Sequence, residues 1–332
     1  MTIRPPRLRF ALLLAATLAT ACAPLRPLAS PPPEPPLAVR GSTATVEIAP
    51  VLLAARDHFP AGAEVRNGGI ANLVGGAPVE GLGDGGAADL ATHAETQALR
   101  YSVEHPGIRI ILTVTEGFYR IVARRSAGIA DIADLRGKRI AAIPTTSSGY
   151  FLARMLAQAG LGLADVQVVR VSPIEDMAGA LARGEVDAVA IWDPHAANAA
   201  HRLGEDAVEL DGRGIYRELF NLNSTAANLA DPAKRARIVA FVRAVIAAAG
   251  AMKADPRGGQ ALVAATAGFT ADEVERSWPH LAFPASLPPD LLDRLVEEEK
   301  WLAARDGRTP RERDELARLI DASVYEEALK TD

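Results

Sequence analysis

The chain has 332 residues, 49% of them hydrophobic and 23% charged, with a formal net charge of −5. That length allows two domains with substantial cores, and the composition excludes a disordered chain. A net acidic chain without a basic stripe is not expected to bind nucleic acid. A single cysteine, Cys22, rules out an intramolecular disulfide and a cysteine-based metal cluster.

The first 21 residues carry Arg4, Arg7 and Arg9 with no acidic residue, followed by the apolar run Phe10–Leu18. This is the pattern of an export signal, and its removal would leave a chain of charge −8. Cys22 follows the small residues Ala19-Thr20-Ala21 and resembles a bacterial lipobox, with Ala19 where leucine is usual. The expectation is a lipidated Cys22, with cleavage nearby as the alternative. Residues 22–41, proline-rich over Pro24–Pro36, read as an extended tether. No later apolar run reaches the ~18 residues of a membrane span.

Folding is expected to begin near Ser42, with a strand at Thr43–Ile48 and a short helix from Pro50 to Ala55. Residues 62–86 are glycine-rich and read as loops or a hairpin. Gly81–Gly86 formally fits G-x-G-x-x-G, but no apolar strand precedes it and no helix follows, so dinucleotide binding is not expected. Ala87–Ala91 reads as a strand, followed by the polar cluster 92–96 and a helix. Thr92 and Glu95 are spaced as a capping box and are alternatively ligand contacts.

Arg109–Val114 is a further buried strand. It pauses at Thr115–Arg120 and resumes at Ile121–Ala123, as one long strand passing between two lobes would. Thr115–Tyr119 is the expected first hinge, with Glu116 and Tyr119 facing a cleft and a hairpin turn as the alternative. Arg120, Arg124 and Arg125 are candidates for holding an anion.

Asp134–Pro194 carries the clearest pattern. Arg139–Ile143 is an apolar run stopped by Pro144. The hydroxyl cluster Thr145, Thr146, Ser147 and Ser148 follows, then a helix with Phe151, Leu152, Met155 and Leu156 on one face and Gly160 as its stop. Val166–Val171 is a second strand. Ser172-Pro173-Ile174-Glu175 is spaced as a capping box for a second helix, and Val186–Ile191 leads into Trp192-Asp193-Pro194. The unit is βαβαβ. Right-handed crossovers bring its strand C-termini to one edge, where open α/β sheets bind ligands. Thr145–Ser148, Trp192 and Asp193 are therefore candidate ligand contacts, although hydroxyls and Asp-Pro are also ordinary caps.

Beyond Pro194, Leu219–Asn223 reads as the return crossing, with Asn221 and Asn223 reaching the cleft. Asp231-Pro232 opens a long amphipathic helix, Thr270 and Glu273 form a capping box, and two charged helices, Asp290–Arg305 and Pro310–Lys330, read as scaffold. The six histidines lack zinc-motif spacing, and no G-x-S-x-G elbow occurs, so neither a metal nor a cofactor is expected.

Asp134-Leu135-Arg136-Gly137-Lys138-Arg139-Ile140, the Thr145–Ser148 cluster, Gly160-Leu161, Ala180–Ala188 and Ile191–Pro194, in that order and spacing, resemble substrate-binding proteins of ABC importers. The group is the one handling nitrate, alkanesulfonates, taurine and thiamine-precursor pyrimidines. The resemblance implies a type II periplasmic binding protein fold: two βα lobes with parallel-rich sheets, a two-crossing hinge and a helical C-terminus. It divides the chain into a signal peptide (1–21), a tether (22–41), lobe I (42–118 plus 225–332) and lobe II (119–224). It implies a monomeric periplasmic receptor, anchored through Cys22, that binds a small polar or anionic solute and serves a permease of the inner membrane. An enzyme of the same fold and a sensory lipoprotein that does not transport are the alternatives.

Overall fold

In the computed structural model, which describes residues 1–2, 35–75 and 86–330, two sheets organise the chain from Pro35 onward. Among the described residues the strands are, in sequence, β1 (Leu37–Gly41), β2 (Ala63–Asn67), β3 (Leu90–Ala94), β4 (Ile108–Gly117), β5 (Arg120–Arg124), β6 (Arg139–Ala141), β7 (Gln167–Val169), β8 (Ala188–Ile191), β9 (Ala207–Asp211), β10 (Glu218–Thr225) and β11 (Leu281–Ala282). The first sheet has the order β11-β4-β10-β3-β1-β2, the second β7-β6-β8-β5-β9. β1 runs parallel to β2 and β3, and β6 runs parallel to β7 and β8. β10 is antiparallel to both its neighbours, and so is β5.

The parallel strands are short, and the inner ones are largely buried because helices cover both faces, while the edge strands β2 and β7 are more exposed. On one face of the first sheet Val39, Leu90, Ile111 and Leu222 pack with Val51 and with Phe241 and Val245 of the helix Pro232–Ala254. On the other, Ile108, Ile110 and Leu219 meet Leu99, Leu295 and Leu302. In the second sheet Ile121, Ile140 and Val189 form one core with Phe151, Met155 and Leu181. Each such side chain contributes about 1.5–3 kcal/mol on burial. The βαβαβ unit forms as its hydrophobic pattern implies.

Several boundaries differ from expectation. β1 lies inside the segment expected to be a tether, because Leu37 and Val39 are buried between β2 and β3. Thr43–Ile48 is a turn rather than a strand. Its apparent alternation arises because Val46 and Ile48 anchor the turn in the core. β3 sits three residues later than expected, so Thr92 is a strand residue and no capping box forms: Ala94 takes the N-cap position without a side-chain bond. Pro173 likewise precedes its helical turn without a side-chain cap. The charged stretch 310–330 divides into helices Arg313–Ala317 and Ala322–Leu329, with Ile320 between them bridging to Ile110. The Thr270–Glu273 capping box and the Asp231 cap do form.

β10 belongs to the first sheet, paired with β3 and β4. The return crossing is therefore 212–217 rather than 219–223, and residues 218–224 lie with lobe I. The expected export signal, Cys22, most of the proline-rich segment and most of the Gly81–Gly86 run lie outside the described residues. Among the described residues no helix is long and apolar enough to cross a membrane.

Candidate functional site

The chain passes between the sheets twice: from β4 to β5 through Phe118 and Tyr119, and from β9 to β10 through 212–217. Tyr119 and Tyr216, one on each crossing, pack edge to face at 5.5 Å and share Phe151. The Tyr119 hydroxyl lies 3.1 Å from Ser147 Oγ, at the start of the helix Ser147–Gln158. That helix begins hard against Pro144, and a Cβ at Gly149 would come within 2.5 Å of the Pro144 carbonyl. Glycine there lets the helix start close against Pro144.

Next to this cluster is a small cavity of about 30 Å³. Lobe I supplies Ser42, Thr45 and Glu47 from the turn after β1, His93, Ala94 and Gln97 from the end of β3 and the helix after it, and Glu218 and Phe220 from β10. Lobe II supplies Thr146, Ser147 and Trp192. Both lobes thus line one space.

Contacts between the lobes surround it. Gln97 Nε2 and Arg100 Nη1 donate to the Thr145 carbonyl at 2.9 and 3.0 Å. Asn198 Nδ2 donates to Glu273 Oε1 at 2.8 Å. Arg154 pairs with Glu297, and Arg305 donates to the Pro144 carbonyl.

The cavity's charge is unusual. Glu47 and Glu218 are 1% and 3% exposed, and Oε2 of each has no hydrogen-bond partner. Burial drives the Glu47 carboxyl up to about 7. Burial, and then the charge of Glu47, drives Glu218 well above the ordinary carboxylate range. Burial, assisted by the charge of Arg100, pushes His93 down to about 4, so its imidazole is neutral near pH 7. Trp192 Nε1 is buried and unpartnered. Among the described residues, no lysine or arginine lines the cavity.

A family model described as NMT1/THI5 like matches residues 75–258. The chain belongs to the NMT1/THI5-like family. Among curated proteins it is 35% identical over 100 residues to a putative aliphatic sulfonates-binding protein of Escherichia coli (strain K12). That match covers 29% of this chain and 31% of the relative, under a third of the relative's length. Among solved structures it is similar to the alkanesulfonate-binding protein of Xanthomonas axonopodis pv. citri bound to MOPS. The TM-score is 0.63 at 23% identity, over 88% of this chain and 99% of that one. The desulfurization enzyme DSZB is also similar, with a TM-score of 0.62 at 17% identity, over 88% and 99% of the two chains. These structural likenesses establish the fold.

In this NMT1/THI5-like chain the candidate residues read from sequence separate into two groups. Thr146, Ser147 and Trp192 line the cavity; the others do not. Thr145 reaches the other lobe through its carbonyl. Ser148 Oγ accepts from Ile143 N–H and donates to the Ala190 carbonyl, tying strand ends together. Asp193 forms a buried ion pair with Arg120 at 2.9 Å and caps Ala197 N–H. Glu116 pairs with Arg217, which also pairs with Asp290. Glu95 accepts from the Tyr216 hydroxyl and from Leu219 N–H. Tyr119 lies behind Ser147, and Thr92 is fully buried in β3. Asn221 accepts from Thr113 Oγ1 within the first sheet, where Asn223 is buried too, bonding Ala91 and Asn221 carbonyls. Two of the arginines considered for an anion are already neutralised, Arg120 by Asp193 and Glu209 and Arg124 by Asp187, while Arg125 lies on the surface with Nη2 near the Ala207 carbonyl.

The sequence reading missed Glu47, His93, Gln97 and Glu218. Glu47 carried a usable signal, as a lone carboxylate inside the apolar run from Val46 to Leu53, where an unpaired acid is rarely tolerated without a role. Among the described residues no cluster of histidine, cysteine and carboxylates is placed to hold a metal ion.

Proposed function

We propose that this chain is an exported solute-binding receptor of an ABC-type importer. It closes its two lobes over a small polar solute and presents it to a membrane permease, working in the periplasm as a monomer held at the membrane through Cys22. The observation that carries this reading is the cavity lined from both lobes, with polar residues on each side and contacts between lobes around it. Trp192 and Phe220 would cover an apolar or planar part of the solute, and the hydroxyl of Ser147 would fix a polar atom. Opening and closing would occur at the crossings 118–119 and 212–217.

No bond is made or broken in this reading. An enzyme with this fold among the similar structures keeps catalysis as the competing account, and turnover of a bound solute by the purified protein would favour it.

Differential scanning fluorimetry with nitrate, alkanesulfonates, taurine, pyrimidines and other small metabolites tests the proposal. At least one compound should raise Tm progressively with the logarithm of its concentration and change tryptophan emission, with both effects weakened in Ser147→Ala. A chain that responds to none of a broad panel would contradict it.

A further inference from the structure

The two neighbouring carboxyls, each with one oxygen left without a partner, are the least explained feature of the cavity. A receptor for nitrate or a sulfonate needs positive charge or a surplus of donors where the anion sits. Here lobe I presents Glu47 and Glu218 with a neutral imidazole, and among the described residues the lining contains no lysine or arginine. Arg100, whose charge reaches His93, is outside the lining and donates to Gln97 Oε1 and the Thr145 carbonyl. On the lobe II side, the N-terminus of the helix Ser147–Gln158 brings a partial positive charge of about half a unit, and the Thr146 hydroxyl is already committed to the Ile143 carbonyl. Lobe I thus presents two carboxyls held toward their protonated form and a neutral imidazole, while the helix end at Ser147 is mildly positive.

A buried carboxyl without a partner costs free energy unless something supplies donors. Glu47 Oε2 and Glu218 Oε2 are two such acceptors on the wall of one cavity. We infer that the solute carries a protonated nitrogen, an amine or an amidine, that docks between Glu47 and Glu218, with its uncharged or acceptor end turned toward Ser147 and its body against Trp192 and Phe220. This rests on the receptor reading of the same cavity and names its solute class. A cationic nitrogen would provide the missing donors and balance the charge that the acids develop on ionisation.

Calorimetric titration of matched pairs that differ only at the nitrogen tests the assignment: benzylamine against benzyl alcohol, benzamidine against benzamide, taurine against 2-hydroxyethanesulfonate, with benzoate as an anion. The nitrogen-cation member of at least one pair should bind at least about tenfold more tightly than its partner, the loss expected when a buried charged group goes unpaired. Glu218→Gln and Glu47→Gln should each erase most of that preference, bringing the two members of a pair to within about twofold of each other. If a variant fails to fold, the series on the native chain decides alone. Equal affinity within every pair, or tighter binding of benzoate or 2-hydroxyethanesulfonate, would overturn the assignment and leave the receptor reading standing. Binding of no member would overturn it too. The receptor reading would then depend on the wider panel, where a hit without a basic nitrogen would keep the receptor and exclude the cation.

Discussion

Gln97 Nε2 in lobe I donates to the Thr145 carbonyl of lobe II at 2.9 Å, and Arg100 Nη1 reaches the same oxygen at 3.0 Å. One main-chain oxygen thus holds two side chains from the opposite lobe. Arg100 stands outside the cavity, so Arg100→Ala should loosen the closed state without touching the solute. The loss of one such bond, about 1 kcal/mol, should speed solute release roughly fivefold in stopped-flow displacement and leave association nearly unchanged. An unaltered release rate would mean that this contact does not hold the lobes shut.

Thr145 and Ser147 should respond differently to the same substitution. Thr145 contributes a carbonyl, which alanine keeps, so Thr145→Ala should leave affinity within about twofold of the native chain. Ser147→Ala removes a hydroxyl that lines the cavity and meets Tyr119 at 3.1 Å. It should weaken solute binding roughly fivefold or more. Calorimetry on the two variants with the same solute checks both.

Asp193 should report on stability. It and Arg120 are both 5% exposed and joined at 2.9 Å. Removing Asp193 leaves the buried Arg120 guanidinium with Glu209 alone, so Asp193→Ala should lower unfolding free energy in urea by about 1.5–3 kcal/mol. Replacing both residues with apolar ones of similar volume should recover much of that loss. A variant with native stability but abolished solute binding would instead make Asp193 a ligand contact.

Burial holds the Glu47 carboxyl at about 7, against 4.5 for an unburied glutamate. Between those values the folded chain retains a proton that the unfolded chain has lost. The contribution of this group is therefore full below 4.5 and is lost as pH rises to about 7. Glu47→Gln cannot ionise, so the stability of the variant relative to the native chain should grow across that window, by up to about 3 kcal/mol. His93 and His195, both pushed down to about 4 by burial, act in the opposite direction. They are common to both chains and cancel in the difference. Urea midpoints measured without solute at the two ends of the window check the sign, and a difference independent of pH would contradict it.

The second lobe was legible in the sequence because its signals are local. Gly160 and Gly184 end helices in the left-handed region, and apolar runs alternate with them at the spacing of a parallel sheet. The first lobe was harder to read because its sheet is assembled from distant segments: β10 inserts between β3 and β4, and Thr113 meets Asn221 across 108 residues. Position at a strand edge picked out Thr146, Ser147 and Trp192, but it could not separate hydroxyls that face the cavity from Ser148, which braces a strand. Nor could it show that Asp193 and Arg120, 73 residues apart, neutralise each other. Glu218 was hidden by the misplaced crossing, which put the hinge at 219–223 and drew attention to Asn221.

The central claim is that solute is held in the space shared by Ser147, Glu218 and Trp192. The chain has three tryptophans, and Trp278→Phe/Trp301→Phe leaves Trp192 as the only indole. Titrating that variant with a solute whose binding calorimetry has already established is the most direct test. The account predicts a saturable change in Trp192 emission with the same midpoint as the calorimetric curve. Saturable binding with unchanged Trp192 emission would place the solute elsewhere and contradict the account.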